Sequence, residues 1–267
     1  MALEDIFKVS KPIIGMVHLL PLPGSPKYEG KGIKPILDRA IKDAKALEKG
    51  GINGILIENF GDAPYKPTSV DRETLASMTL AVKEVSEATN LPIGVNVLRN
   101  DAKSALAIAH ATNAHFIRVN VYTEVMITDQ GIINACAHEV QRYRKQLGAE
   151  KIKIFADIHV KHAQPLALRL IEETAKDAAY RGLAEALIVT GPRTGVEPSI
   201  DDVIKAKEAV PDKPVLVGSG VNKGNVRGFL KHADGAIVGT SLKVDSVKSN
   251  PVSESAVKEF MKAVQRL

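Results

Sequence analysis

The sequence contains no tryptophan, one cysteine, and only 5 tyrosines and 6 phenylalanines among 267 residues. A single cysteine excludes an internal disulfide and any zinc site that needs several cysteines. The scarcity of aromatic rings argues against the stacking platforms to which single-stranded nucleic acids bind. We therefore expect no nucleic-acid partner, and the modest formal charge of +5 suits a small anionic ligand equally well.

Long hydrophobic runs are also missing. The apolar stretch at residues 13–22 is interrupted by Gly15, His18 and Pro21, and it is much shorter than a membrane span. The first seven residues are acidic and lack the apolar core of a secretory signal peptide. We therefore expect a cytoplasmic protein with no integral membrane segment.

Short β-branched segments alternate with amphipathic segments along the whole chain. The eight predicted strands are 12–19, 54–59, 92–98, 116–121, 153–160, 186–191, 214–220 and 235–240. The eight predicted helices lie near 34–50, 68–89, 101–112, 131–147, 164–182, 199–209, 223–232 and 253–267. Because parallel strands need long crossover connections, this alternation favours an α/β protein with a single (β/α)8 TIM barrel. No linker divides the chain, so residues 1–267 are predicted to form one domain.

Two local patterns allow more specific predictions. Cys136 falls at helical spacing from Ile133 and Val140, which indicates a buried structural thiol rather than a nucleophile. Ser199, three residues before Asp202, is typical of a helix start of the capping-box kind.

Polar side chains occur at the ends of most predicted strands. On the fifth strand, Asp157, His159 and Lys161 share the face opposite an aliphatic one, so we expect them to point into the barrel mouth. Asp157 and His159 should then lie at adjacent depths of the same mouth, although a structurally hydrogen-bonded pair is the alternative. The catalytic candidates are Glu58, Asp157, His159 and Lys161. The ligand-binding candidates on the other strands are His18, Asn96, Arg118, Asn120, Thr190 and Gly191.

Any one of these polar residues is explained most simply as a partnered structural group. A ring of them is harder to explain in that way, because polar groups inside a barrel are unfavourable unless they are paired or bind a ligand. The loops that follow the strands are also longer than the turns that precede them, and these loops build the active face of such barrels. The ring therefore predicts a site at the C-terminal face.

Glycine and small hydroxyl residues end the last two predicted strands. They are Gly218, Ser219, Gly220, Gly239, Thr240 and Ser241. Phosphate sites in TIM barrels often use the loops after strands seven and eight, where glycine lets the backbone approach the anion. We therefore predict a phosphate cradle here, with Lys243 nearby in the sequence. The alternative is that these glycines only permit tight turns.

A metal site has weaker support. Glu58, Asp157 and His159 have side chains that bind divalent ions, but no close cluster has the spacing of a ligand set. We therefore assign no metal ligands, and the identity of any cofactor stays open.

Stretches near almost every predicted strand carry a family resemblance. They lie at 14–19, 96–101, 116–120, 129–131, 156–163, 188–191, 217–221 and 233–243. Through them the chain resembles the BtpA/SgcQ family from end to end. The resemblance implies a ribulose-phosphate-type barrel, and the family is named after a cyanobacterial member needed for stable photosystem I. Another member is associated with sugar-utilisation genes, and the family offers no settled catalytic residues to transfer.

Two hypotheses of different class follow. The first is an enzyme that acts on a small phosphorylated metabolite, a sugar phosphate or a nucleotide-like compound, by acid/base chemistry at the C-terminal face. Isomerase, lyase, aldolase and hydrolase reactions stay open, and Lys161 could instead form a Schiff base. The second, implied by the resemblance alone, is a non-catalytic assembly factor for a photosystem I-type membrane complex. The polar ring favours the enzyme, and the oligomeric state is open, a homo-oligomer included.

Overall fold

The computed structural model describes residues 3–265, which contain eleven strands. In chain order the strands are β1 Ile13–His18, β2 Gly54–Glu58, β3 Ile93–Asn96, β4 Phe116–Val119, β5 Met126–Thr128, β6 Gly131–Ile133, β7 Lys153–Ile158, β8 Ala163–Pro165, β9 Ala186–Thr190, β10 Val215–Gly218 and β11 Gly235–Val238. The helices are α1 Glu4–Phe7, α2 Lys34–Lys49, α3 Arg72–Ala88, α4 Ala102–Thr112, α5 Ala137–Gln146, α6 Ile171–Lys176, α7 Ile200–Ala209, α8 Val226–Leu230 and α9 Glu254–Gln265. A π-helical turn continues α6 over Asp177–Arg181.

Eight parallel strands close into a barrel in the order β1, β11, β10, β9, β7, β4, β3, β2. This arrangement confirms the predicted (β/α)8 barrel. The register brings the strand ends to one level, since His18 pairs with Glu58 and Glu58 pairs with Asn96 on the next strand. Strand ends that are far apart in the sequence therefore meet around one mouth. That residues 1–267 form a single domain stays a prediction.

The structure corrects the sequence prediction in the loops of the C-terminal face. Strands β5, β6 and β8 form a separate antiparallel sheet in the order β6, β5, β8. Residues 131–133 and 163–165 were expected to be loop or helix, but their backbones pair across this small sheet. Short strands with few alternating positions give a weak periodic signal, which explains the error.

Two local predictions are partly wrong. Cys136 precedes α5 instead of lying within it, although the residue is half-buried against the core and this burial raises the pKa of its thiol to about 12. Its Sγ contacts the carbonyl oxygen of Val121, 3.3 Å away, as a structural thiol would. Ser199 does precede α7, but its side chain makes no capping hydrogen bond.

Strand parity divides the side chains into two sets, as predicted. Ile154, Ala156 and Ile158 of β7 face the helices in the main core. Phe155 faces the barrel interior, where it belongs to a separate apolar cluster. Asp157 shares the inward parity of Phe155, and it lies one layer closer to the mouth.

Aromatic rings close the N-terminal end of the barrel. Phe7 of α1 packs against Phe116 and Phe155, with ring centroids 5.7 and 6.5 Å away, and these two stack at 4.6 Å. Glycine makes room for the rings: a Cβ at Gly54 would lie 2.5 Å from Phe7, and one at Gly94 would lie 2.3 Å from Phe116. The base of the barrel is therefore filled, and an open site must lie at the other end.

Among the helices of residues 3–265, none combines the length and the apolar character that crossing a membrane requires.

Candidate functional site

A layer of hydrogen-bonded polar side chains lies just below the mouth. Arg118 Nε and Nη2 donate to Asp157 Oδ1 and Oδ2, at 2.8 and 2.9 Å. Asn120 Nδ2 also donates to Asp157 Oδ2, at 2.9 Å. Asn96 Nδ2 donates to Asn120 Oδ1 and to the carbonyl oxygen of Arg118. All four residues are buried, so the layer joins β3, β4 and β7 from within the barrel.

The ion pair between Arg118 and Asp157 restricts the chemistry that either side chain can perform. Burial alone would lower the pKa of the Arg118 guanidinium, but the charge of Asp157 and the hydrogen bonds to it raise that pKa. The Asp157 carboxylate receives three donors, so its oxygens are occupied by Arg118 and Asn120. We expect Asp157 to hold Arg118 in place rather than to exchange protons with a ligand.

The segment after β7 determines where the remaining polar residues point. The strand ends at Ile158, and His159 and His162 both have left-handed backbones, with φ of 50° and 56°. The Lys161 backbone between them is anchored on both sides, because its N–H donates to Thr190 Oγ1 at 2.9 Å and its carbonyl accepts from Arg99 Nη2. The loop therefore directs the Lys161 side chain into the mouth.

The left-handed turn contradicts the expected geometry of His159. This residue lines a side pocket of about 220 Å³ together with Thr190, Gly191 and Ser199. Asp157 faces the barrel interior, so the two side chains do not share one mouth at adjacent depths. The alternation rule fails here because it holds only while the strand continues, and β7 has ended at Ile158.

The Lys161 ammonium makes no hydrogen bond and no ion pair with any residue of the described chain, although the residue is partly buried. Burial lowers its pKa to about 8, and the positive charge of Arg118 acts in the same direction. The charges of Glu58 and Asp157 oppose this shift without cancelling it. An amine with this pKa is partly neutral at physiological pH and can act as a base or a nucleophile.

The larger of two cavities at the mouth has a volume of about 420 Å³. Lys161 lines it together with Glu58 and His18, and Glu58 Oε2 is buried without a hydrogen-bond partner. The His18 ring stacks on Phe60 with centroids 4.4 Å apart, and its Nδ1 is also unpartnered. Burial holds the pKa of His18 well below its usual value, and Lys243 and Lys161 add to the effect. His18 is therefore a neutral imidazole at pH 7.

Sequence reasoning missed several residues that line this cavity. Arg99, Phe60, Tyr65, Asp129 and Lys248 all contribute to the wall. Arg99 is buried, and its Nε has no partner. These residues lie in loops or short turns, where strand parity gives no signal. The preference of barrels for sites on loops after strands was the only available indication.

The smaller cavity, of about 230 Å³, adjoins the ends of β10 and β11. It is lined by Arg118, Lys161, His18, Met16, Thr194, Gly195, Ser219, Gly220, Val221, Asn222, Ile237, Gly239, Thr240, Ser241 and Ser246. This wall contains two cations and no carboxylate, which favours an anion. Lys161, His18 and Thr194 line both cavities, so the two adjoin each other.

Ser219 and Gly239 are the cradle residues whose geometry points most directly to a ligand. Ser219 has a left-handed backbone with φ of 66°, and its hydroxyl is buried without a partner. A Cβ at Gly239 would lie 3.3 Å from Met16 Cγ and 3.5 Å from His18 Cε1. The missing side chain therefore leaves part of the cavity open.

Other predicted cradle residues have structural explanations. A Cβ at Gly191 would lie 2.0 Å from the carbonyl oxygen of Val196, and one at Gly220 would lie 2.2 Å from the backbone nitrogen of Glu197. These two glycines admit the loop at 196–197, as the tight-packing alternative expects. Gly218 faces Ile188 in the core, and Ser241 Oγ donates to the carbonyl of Val221 at 2.7 Å.

Lys243 does not belong to the cradle, contrary to its position in the sequence. Its side chain is fully buried, and its Nζ lies 3.4 Å from Asp43 Oδ2 of α2. Asp43 in turn accepts from Arg39 and from the backbone of Val252. Lys243 therefore ties the chain after β11 to the outer helices.

Within residues 3–265, no group of three or more His, Cys, Asp or Glu side chains is placed to hold a metal ion. Glu58, Asp157 and His159 in particular are separated, since His159 faces the side pocket and Asp157 is bound by Arg118.

Residues 9–266 match the BtpA family. The chain belongs to this family. It is 42% identical over 264 residues to the photosystem I biogenesis protein BtpA of Synechocystis, covering 99% of this chain and 91% of that protein. It is also 48% identical over 258 residues to an uncharacterized protein of Pyrococcus abyssi, covering 97% of each.

The fold is also found in solved structures of low sequence similarity. Phosphoribosyl anthranilate isomerase from Thermus thermophilus matches with a TM-score of 0.58 and 10% identity, covering 96% of this chain and 98% of that one. An identity this low establishes a common TIM-barrel fold and leaves function to the site itself.

Proposed function

We propose that this BtpA-family barrel is an enzyme that acts on a small phosphorylated metabolite. One observation carries the proposal. The buried polar side-chain atoms without partners in residues 3–265 all belong to strand ends or loops of the C-terminal face: His18 Nδ1, Glu58 Oε2, Asn96 Oδ1, Arg99 Nε, Gln130 Oε1, His159 Nε2 and Ser219 Oγ. Such atoms are unfavourable in a stable fold, and four of the residues that carry them, His18, Glu58, Arg99 and Ser219, line the two mouth cavities, where a ligand can supply the missing partners.

In the proposed complex the phosphate group occupies the smaller cavity. Arg118 supplies positive charge there, Lys161 adds to it while its amine is protonated, and the Ser219 hydroxyl supplies a hydrogen bond. The uncharged part of the substrate then extends past Lys161 into the larger cavity, where Glu58 and His18 can exchange protons with it. His159 lies outside this path, so we assign it no step.

The alternative is a non-catalytic assembly factor for a photosystem. The name of the Synechocystis relative supports it, but the Pyrococcus abyssi relative is similar over nearly the same length and its name mentions no photosystem. A role confined to photosystems also gives no reason for unpartnered groups inside the mouth.

Thermal unfolding with and without ligands tests the proposal. Inorganic phosphate and sugar phosphates should raise the midpoint of thermal unfolding, because a ligand present at 100 times its Kd stabilises a protein by about 2.7 kcal/mol. The matching unphosphorylated sugars should leave the midpoint unchanged, because they lack the group that the cradle binds. Gly239→Ala should weaken the phosphate-dependent shift by placing a methyl group in the cradle.

A matched control is available in α8. A Cβ at Gly228 would meet nothing closer than Ile200 Cδ1 at 4.0 Å, so Gly228→Ala should leave the phosphate shift unchanged. Equal shifts in wild type, Gly239→Ala and Gly228→Ala would rule out a phosphate at β10 and β11.

A further inference from the structure

Two lysines in the upper half of the barrel, Lys243 and the half-buried Lys161, differ in what their ammonium groups contact. Lys243 is paired with Asp43, and both side chains are fully buried. Lys161 has no acceptor for its ammonium, although its backbone is fixed by Thr190 and Arg99. The chain therefore anchors the backbone of Lys161 and leaves its amine without a hydrogen-bond or ion-pair partner.

The groups around Lys161 favour a neutral amine. Arg118 and Arg99 are both buried, and the positive charge of each disfavours a further cation beside them. Arg118 is already paired with Asp157, whereas Glu58 lines the larger cavity together with Lys161. Glu58 is 1% exposed and its Oε2 has no partner, so this oxygen is available to accept a proton.

The position of Lys161 between the two cavities restricts the compound it would meet. A phosphate in the smaller cavity places the first carbon atoms of the substrate beside Lys161, and the rest extends toward Glu58 and His18. A neutral amine at this point reacts most readily with a carbonyl carbon.

We propose that Lys161 forms an imine with the carbonyl carbon of a phosphorylated aldehyde or ketone. This inference rests on the proposed function, and it specifies the substrate class and the covalent residue of that site. In the first step the Lys161 nitrogen forms a bond to the carbonyl carbon, and the π electrons move to oxygen, which takes a proton from solvent. Glu58, which lies beyond ion-pair distance in the same cavity, accepts a proton from the nitrogen through a solvent water molecule.

Glu58 then returns this proton to the new hydroxyl group. The carbon–oxygen bond breaks, water leaves, and the nitrogen lone pair completes a protonated imine. No electrons are gained or lost overall, so the step needs no oxidant or reductant. His18, as a neutral imidazole, can hydrogen-bond the departing water.

Reductive trapping tests the inference. The full-length protein is incubated near neutral pH with sodium cyanoborohydride and one of three probes: glycolaldehyde phosphate, glyceraldehyde 3-phosphate or dihydroxyacetone phosphate. Peptide mass spectrometry then measures the secondary amine formed at each lysine. We expect the initial rate at Lys161 to exceed that at Lys151 by at least about tenfold, since an ordinary exposed lysine is almost wholly protonated at this pH. Lys151 is exposed just before β7 and serves as the internal reference.

Three controls define the interpretation. Inorganic phosphate should slow trapping at Lys161 without changing the rate at Lys151, because it competes for the cradle. The unphosphorylated aldehydes should label Lys161 more slowly than the phosphorylated probes do, whereas Lys151 should react with both kinds of probe at similar rates. Glu58→Gln should slow trapping at Lys161 about tenfold or more while retaining the phosphate-dependent thermal shift.

The outcomes separate the two proposals. If phosphate stabilises the protein but Lys161 is labelled no faster than Lys151 by all three probes, the imine inference is wrong and the phosphate site stands. If phosphate gives no stabilisation and Lys161 is not preferred, the proposed function is wrong as well.

Discussion

The two ends of the barrel are built on opposite principles. At the N-terminal end, Phe7, Phe116 and Phe155 fill the interior, and glycines make room for their rings. At the C-terminal end, Lys161 and Glu58 are fixed in place yet lack partners for the atoms that carry charge. Packing at the base stabilises the fold, whereas the mouth retains unfavourable groups that a ligand would satisfy. Substitutions at the two ends should therefore change different properties.

The largest effect on stability is expected at the base. Phe116→Ala removes a buried ring that stacks on Phe155, and it should lower the free energy of unfolding by about 4 kcal/mol. The phosphate-dependent thermal shift should stay the same, because Phe116 does not line either mouth cavity. Urea unfolding with and without phosphate measures both. A loss of the phosphate shift in a folded variant would contradict the separation between the ends.

The ion pair between Arg118 and Asp157, just below the mouth, should contribute to the stability of the fold. Asp157→Asn leaves the buried Arg118 guanidinium without a counter-charge, and we expect it to lower the free energy of unfolding by about 3 kcal/mol. The double variant Arg118→Met with Asp157→Leu should recover most of this loss in chemical denaturation. If Asp157→Asn were as stable as wild type, the carboxylate would be free for catalysis instead.

Substitution of Lys161 should raise the free energy of unfolding instead of lowering it. Its pKa of about 8 in the folded chain lies below the ordinary value, so below pH 8 the folded protein bears the free-energy cost of a half-buried, unpaired ammonium. Lys161→Met should therefore stabilise the protein by about 2 kcal/mol at pH 7. The gain should shrink as pH rises from about 8 to 10, because the folded wild type loses its proton first. Lys151→Met is the control, and an equal gain in both variants would contradict a special environment at Lys161.

Ser219 offers the smallest and most specific comparison. Ser219→Gly relieves a left-handed backbone and should raise the free energy of unfolding by about 1 kcal/mol. It also removes the unpartnered hydroxyl from the smaller cavity, so the phosphate-dependent shift should decrease. A variant that is more stable and still binds phosphate as well as wild type would show that this hydroxyl serves no ligand.

The barrel strands and the inward direction of the side chains at their ends could be predicted from the sequence. All eight barrel strands, and the inward parity that brings Glu58, Arg118 and Asp157 together, follow from alternation, because this parity holds for as long as a strand is regular. The positions of the strand-end residues are therefore physical consequences of local pattern.

The loops could not be derived in the same way. His159 turns away from the mouth because its backbone is left-handed, and Lys243 turns to Asp43 of α2 through a contact across 200 residues. Arg99 reaches the larger cavity from the segment after β3. Each of these directions depends on a tertiary contact or on a single backbone angle, and neither leaves a periodic signal in the sequence.

The hydrogen-bonded layer of Asn96, Arg118, Asn120 and Asp157 lies between the filled base and the loops that enclose the cavities. Its side chains bind one another across three strands, so their positions do not depend on those loops. Loops above such a layer can accumulate substitutions without disturbing the strands beneath them. A descendant of this barrel could therefore acquire a new ligand by exchanging loop residues that line the cavities, such as Asp129 and Thr194, while inheriting the same barrel.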